Sequence, residues 1–157
     1  MKENKLRPRI AVIAYAFSPT RGSEFAQGWN YVKKLSLDYE VTVFVGSSGG
    51  HMGDLHELEE LDKQHNVDVV TVYADKYGRL LNYLDQTLGL TWMFVYSLRR
   101  WNGLAMGCLQ LRHLSQPFDV FHHLGPVGFK TPSSMHKFDV PSYWGPIGGF
   151  QFVNLRL

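Results

Sequence analysis

The chain is poor in cysteine, in net charge and in long apolar runs. Cys108 is the only cysteine among 157 residues, which excludes an intramolecular disulfide framework and fits a reducing compartment. Its apolar surroundings make it a small core residue rather than a nucleophile. The formal net charge of +2 is too small to imply a nucleic-acid partner by bulk electrostatics. No uninterrupted apolar stretch approaches the ~20 residues that a transmembrane helix requires. The seven histidines and one cysteine lack metal-ligand spacing, and there is no Asp-x-Asp, so no bound metal is expected. Neither Gly-x-x-x-x-Gly-Lys-Ser/Thr nor Gly-x-Gly-x-x-Gly occurs, which removes a P-loop and a dinucleotide fingerprint.

What is present suits one ordinary core, and residues 1–157 read as a single domain with 45% hydrophobic residues. Lys2, Lys5, Arg7 and Arg9 precede an apolar run over 10–16, and Ala14-Tyr-Ala16 resembles a signal-peptidase site. That run is at the short limit for a signal peptide, and Glu3 interrupts the basic region. A first buried strand accounts for the same residues, and the expected location is cytoplasmic.

Continuous apolar or β-branched runs predict strands over 10–16, 40–46, 67–73, 118–124 and 141–144. Phe25, Trp29, Val32 and Leu35 recur at helical spacing and predict a helix over 23–37. Leu55, Leu58 and Leu61 predict a short acidic helix over 54–63. Residues 79–114 lack strand alternation and read as helical, bent or broken near Gly89 and Gly103. Thr131 and Pro132 suit an N-cap and first helical position, predicting a short helix there. Alternating strands and helices imply an α/β fold with a doubly wound, mostly parallel, Rossmann-like sheet. Ligands in such sheets bind beyond the strands' carboxyl ends.

Three features fall on that rim. The first is the strand-turn-helix over 14–29, where Gly22 lets a ligand approach the backbone and Ser23 and Glu24 open a helix whose N–H groups favour phosphate. A plain strand-to-helix turn explains the same residues. The second strand ends Phe44-Val-Gly-Ser47, with no acid to hold a ribose, which argues against a dinucleotide. The second feature is His122 and His123, which point to opposite faces of one strand, so one faces the cleft and the other packs beneath a helix. His51, in a glycine- and serine-rich loop, reads as solvent-exposed. The third is the turn Trp144-Gly-Pro-Ile-Gly-Gly149, where the pair Gly148-Gly149 favours close approach of a ligand to the backbone.

Between Arg79 and His113 four arginines (Arg79, Arg99, Arg100 and Arg112) face one acid, Asp85, among interleaved leucines and aromatics. Such a surface fits docking onto anionic lipid headgroups through Arg99, Arg100, Trp92 and Trp101. A core-covering helix with a few solvated arginines explains the same residues and is the simpler reading.

Taken together, Ala14-Tyr-Ala-Phe-Ser-Pro-Thr-Arg-Gly-Ser-Glu24 with Gly28-Trp29, Phe118-Asp-Val-Phe-His-His123 and Trp144-Gly-Pro-Ile-Gly-Gly149 resemble the N-terminal half of a family 4 glycosyltransferase of the GT-B fold. Order and spacing match along nearly the whole chain. The resemblance implies retaining transfer of a sugar from a nucleotide-sugar donor to a glycan or lipid-linked acceptor, without a cofactor or metal. It puts Gly22, Ser23, Gly148 and Gly149 near the donor phosphates, and Arg21, Glu24 and Pro126 on the acceptor side. The histidine beside the transferred sugar is most simply His122, with His123 the alternative, because Leu124 stands where many relatives place a further histidine. The same resemblance implies a C-terminal nucleotide-sugar domain with paired glutamates. No such segment occurs in this sequence, so the expectation is an incomplete first domain, inactive alone, whose second domain is missing or separately encoded. The alternative is a stand-alone module that binds a glycan or lipid acceptor, or a membrane-docking subunit of a two-chain transferase, peripheral on the inner face of the membrane.

Overall fold

The computed structural model describes residues 7–47, 52, 56–60, 67–125 and 131–146. Five strands, β1 (Arg9–Ala14), β2 (Glu40–Gly46), β3 (Asp68–Val72), β4 (Val120–Leu124) and β5 (Ser142–Trp144), form one sheet in the order β3-β2-β1-β4-β5. Every pairing is parallel, with Val12 beside Val43 on one side and His122 on the other. Parallel strands need crossovers, and the crossovers bury both faces, which is why β1 and β2 are apolar without alternation. The fold is α/β, with a Rossmann-like parallel sheet flanked by helices.

Alternation along β1 divides the core in two. Ile10, Val12 and Ala14 meet α1 (Ser23–Leu35) through Trp29 and Val32. Ala11 and Ile13, with Phe44 and Phe121, meet Leu98, Trp101, Ala105 and Leu109 of α3 (Thr91–Ser115). Those four α3 residues recur at spacings of three and four, so they make one buried stripe. Each large side chain on it contributes about 2 kcal/mol by leaving water. Leu58, in the helical stretch 56–60, buries on the α1 side, as its place in the leucine pattern predicts.

The long helical region divides once. α2 (Lys76–Leu88) starts at Asp75, whose Oδ1 accepts from the Gly78 N–H at 2.8 Å, and ends at Gly89, which takes the left-handed conformation (φ 65°). Gly89 therefore breaks the helix as expected, being the residue type that enters that conformation without strain. Gly103 does not: α3 runs through it without interruption. Glycine inside a helix costs only about 1 kcal/mol relative to alanine, less than the flanking buried residues Trp101 and Ala105 recover.

The strands start and stop within two residues of expectation. The helix expected from Thr131 and Pro132 is a single 3-10 turn, Met135–Lys137. Its start is set by Ser133, whose Oγ accepts from the Met135 N–H at 3.2 Å. It stops because Phe138 and Val140 pack onto the core and draw the chain out toward β5.

Candidate functional site

The strand order reverses between β1 and β4: the chain steps outward from β1 to β2 and β3, then returns to lay β4 and β5 on the other side. A crevice opens at such a reversal, at the carboxyl ends of the strands. Ala16, Glu24, Gln27 and Gly28 line one side of it, and Leu124, Gly125 and Pro146 the other. Its volume is about 20 Å³, roughly the space of one water. The larger cavities lie elsewhere, so the crevice is a candidate for its backbone geometry and not its size.

Gly22 is the N-cap of α1, with φ 122° and ψ 173°. Only glycine adopts this conformation readily, and no side chain caps the helix. The first intrahelical bond runs from the Ala26 N–H to the Gly22 carbonyl at 2.9 Å. The earlier N–H groups thus point out of the helix, with about half a positive charge from the aligned peptides. Glu24 sits in this first turn, where a carboxylate complements the dipole.

The loop before Gly22 is braced by side chains. Ser18, fully buried, accepts from the N–H groups of Thr20 (3.1 Å) and Arg21 (3.3 Å). Thr20 Oγ1 donates to Glu57 at 2.6 Å, and an Arg21 guanidinium nitrogen donates to the Met52 carbonyl at 2.8 Å. Arg21 therefore ties the loop after β1 to the loop after β2. Gly46 is part of the same joint: a Cβ there would lie 2.7 Å from the Met52 sulfur. Sequence reasoning missed Ser18, although a serine before Pro19 is a turn signal in its own right.

Adjacent on β4, the two histidines have opposite surroundings. His122 lies on the α1 side, half-buried, with its Nδ1 2.7 Å from the Tyr31 hydroxyl and its Nε2 3.1 Å from the Gly145 carbonyl. A carbonyl only accepts, so Nε2 carries the proton and Nδ1 accepts from Tyr31. Burial lowers the His122 pKa, opposed by the bond to Gly145. His123 lies on the opposite face and is 2% exposed. Neither of its ring nitrogens has a hydrogen-bond partner among the described residues. Burial, reinforced by His122, pushes its pKa down to about 4. His122 is thus fully engaged in joining α1 to the Gly145 turn, while His123 is neutral and without a hydrogen-bond partner among the described residues.

Of the other expected site residues, Glu24 lines the crevice, and Gly22 and Ser23 stand just before it at the start of α1. Pro126, Gly148, Gly149 and His51 lie outside the described residues. The four docking candidates separate. Trp101 belongs to the core: it is 1% exposed, its Nε1 donates to the Val72 carbonyl at 2.8 Å, and it meets Tyr15 edge-on. It has no surface to offer, because it is the central residue of the buried α3 stripe. Trp92 is exposed and packs edge-on to Tyr96, over which Arg99 also lies. Arg100 is paired with Asp75, the cap of α2, which holds that carboxyl below its usual range. Trp92, Tyr96, Arg99 and Arg100 border a cavity of about 650 Å³ between α2 and α3, which shares no lining residue with the crevice. Another, of about 430 Å³, lies against the edge strand β5 beside Ser134, His136 and Lys137.

Among the described residues no group of three His, Cys, Asp or Glu side chains is placed to hold a metal ion, and no helix is long and apolar enough to cross a membrane. Comparison of the chain with protein-family models, with curated proteins and with solved structures finds no match.

Proposed function

We propose that the chain is the acceptor-side half of a glycosyltransferase, working in the cytoplasm, which transfers a sugar from a nucleotide-sugar to a hydroxyl of a glycan or lipid-linked acceptor with retention of configuration. The observation that carries this reading is the uncapped N-terminus of α1 at the strand reversal, opened by Gly22. A leaving diphosphate develops negative charge, and preorganised N–H groups aimed at it lower the barrier. Ser23 sits beside that position and supplies a hydroxyl. Glu24 and Gln27 line the crevice and suit sugar hydroxyls, which both donate and accept.

His122 holds the Gly145 turn in register with α1, because both of its nitrogens are spent on Tyr31 and Gly145. In this reading it is a positioning residue, and the second wall of the crevice moves if it is lost. The nucleotide and the bulk of the donor's binding energy belong to a partner domain, as the family resemblance implies. Binding energy from such remote contacts is what drives orientation at the reacting centre.

Backbone-amide NMR of the chain, titrated with nucleoside diphosphates, nucleotide-sugars and oligosaccharides, tests this. Shifts should concentrate at Gly22, Ser23, Gly28, Leu124 and Gly125, and weaken in Gly22→Ala. No shift with any of these ligands, or shifts confined to other surfaces, would refute the assignment.

A further inference from the structure

The α2–α3 pair presents a surface that the sugar-transfer reading does not use. Between positions 73 and 100 the exposed residues include Tyr73, Tyr77, Tyr83, Trp92 and Tyr96, with Leu80 and Leu88. Four cations, Lys76, Arg79, Arg99 and Arg100, are exposed on the same segment, and no carboxylate is. The two acids in it, Asp75 and Asp85, are half-buried, and Asp75 is occupied by Arg100 and the start of α2. Tyr77, Leu80, Trp92 and Tyr96 border the 650 Å³ groove, with Arg99 and Arg100 also lining it.

We propose that this face docks onto an anionic lipid bilayer, with Trp92, Tyr96, Tyr77 and Leu80 at the level of the headgroups and upper acyl chains and the cations against lipid phosphates. Three observations select this occupant. Trp and Tyr, rather than Phe and Ile, dominate the exposed apolar residues, and their rings favour the bilayer–water boundary, where one end is dry and the other wet. The exposed charge is of one sign, complementary to anionic lipid, and each cation near such a surface strengthens binding. The helices lie folded against each other, and neither is long and apolar enough to cross, which leaves binding in the plane of the interface.

A soluble glycan fits the groove less well. Sugar hydroxyls need acceptors as well as donors, whereas Arg99, Arg100 and Trp92 only donate, Leu80 and Leu81 do neither, and the hydroxyls of Tyr77 and Tyr96 are the only acceptors among the lining side chains. Vesicle binding requires no sugar donor, so docking by this face is independent of sugar transfer.

Sedimentation of the chain with large unilamellar vesicles of phosphatidylcholine, alone or mixed with phosphatidylglycerol, decides it. The expected result is binding to the mixed vesicles only, weakening as salt rises, with a blue shift of tryptophan emission that is lost in Trp92→Ser. Lys76→Glu/Arg79→Glu/Arg99→Glu, all at exposed positions, should lower partitioning by about tenfold or more while leaving the far-UV circular dichroism unchanged. Leu80→Ser/Trp92→Ser should lower it with the charges intact. Failure to bind mixed vesicles, equal binding to both kinds, or binding indifferent to the charge reversal overturns the proposal. So does a Trp92 emission change with soluble oligosaccharide in the absence of vesicle binding, which would assign the groove to a glycan.

Discussion

Tyr31 donates its hydroxyl proton to His122 Nδ1 across 2.7 Å, joining the middle of α1 to the middle of β4. His122 passes the constraint on through Nε2 to the Gly145 carbonyl, so three elements meet in one imidazole. The ring is therefore held as the Nε2–H tautomer.

Long-range proton–nitrogen correlation spectra should find His122 in that tautomer at neutral pH. Tyr31→Phe removes a donor that favours the neutral ring, so the His122 pKa should rise. The same substitution should cost about 1 kcal/mol of stability. A proton found on Nδ1 in the native chain would contradict the arrangement.

His123 sets a dependence on pH. Its folded pKa is depressed from 6.5 to about 4, so the unfolded chain binds a proton in this interval that the folded chain does not. Stability from this group is complete above 6.5 and is lost as pH falls toward 4. Between pH 7 and pH 5 the loss should be on the order of 2 kcal/mol, and His122, also depressed, adds in the same direction. His123→Leu should flatten the slope of urea stability against pH and leave neutral stability unchanged or higher, because two unpaired buried nitrogens disappear. An unaltered slope in the variant would assign the pH dependence elsewhere.

The five strands, their parallel pairing and the break at Gly89 were legible because each rests on a local signal: apolar runs, or a glycine at a helix end. Opposite facing of His122 and His123 followed from strand alternation alone. Their environments did not follow, since Tyr31 and Gly145 lie far away in sequence and meet His122 only once the sheet has formed. Trp101 was misplaced for a different reason. Aromatics occur on both faces of the α2–α3 pair, so composition cannot separate Trp92 from Trp101. The spacing of Leu98, Trp101, Ala105 and Leu109 does separate them, and it is readable in the sequence. Gly103 misled because a lone glycine is a weak breaker when its neighbours are buried.

The two tryptophans of α3 should respond oppositely to removal. Trp101→Ala opens a cavity beneath Tyr15 and leaves the Val72 carbonyl without its partner; it should cost about 3–5 kcal/mol. Trp92→Ala, at a residue 55% exposed, should change stability by no more than about 0.5 kcal/mol. Urea denaturation followed by circular dichroism measures both. Comparable losses would place Trp92 in the core as well.

Gly22 and Gly103 make a second contrast, in which free space is the same and backbone conformation differs. A Cβ built at either position meets nothing within 4 Å. At Gly22 the obstacle is the φ of 122°, which an L side chain adopts only under strain. Gly22→Ala should therefore cost about 1–3 kcal/mol or force the turn to change shape, displacing the α1 N-terminus from the crevice. Gly103 lies inside α3 in helical conformation, so Gly103→Ala should stabilise by about 0.5–1 kcal/mol. Thermal denaturation of the two variants gives the signs. If Gly22→Ala were as stable as the native chain with its amide spectrum unperturbed at Ser23 and Glu24, the strained N-cap would not exist in solution. The crevice would then lose the feature that recommends it as a phosphate site.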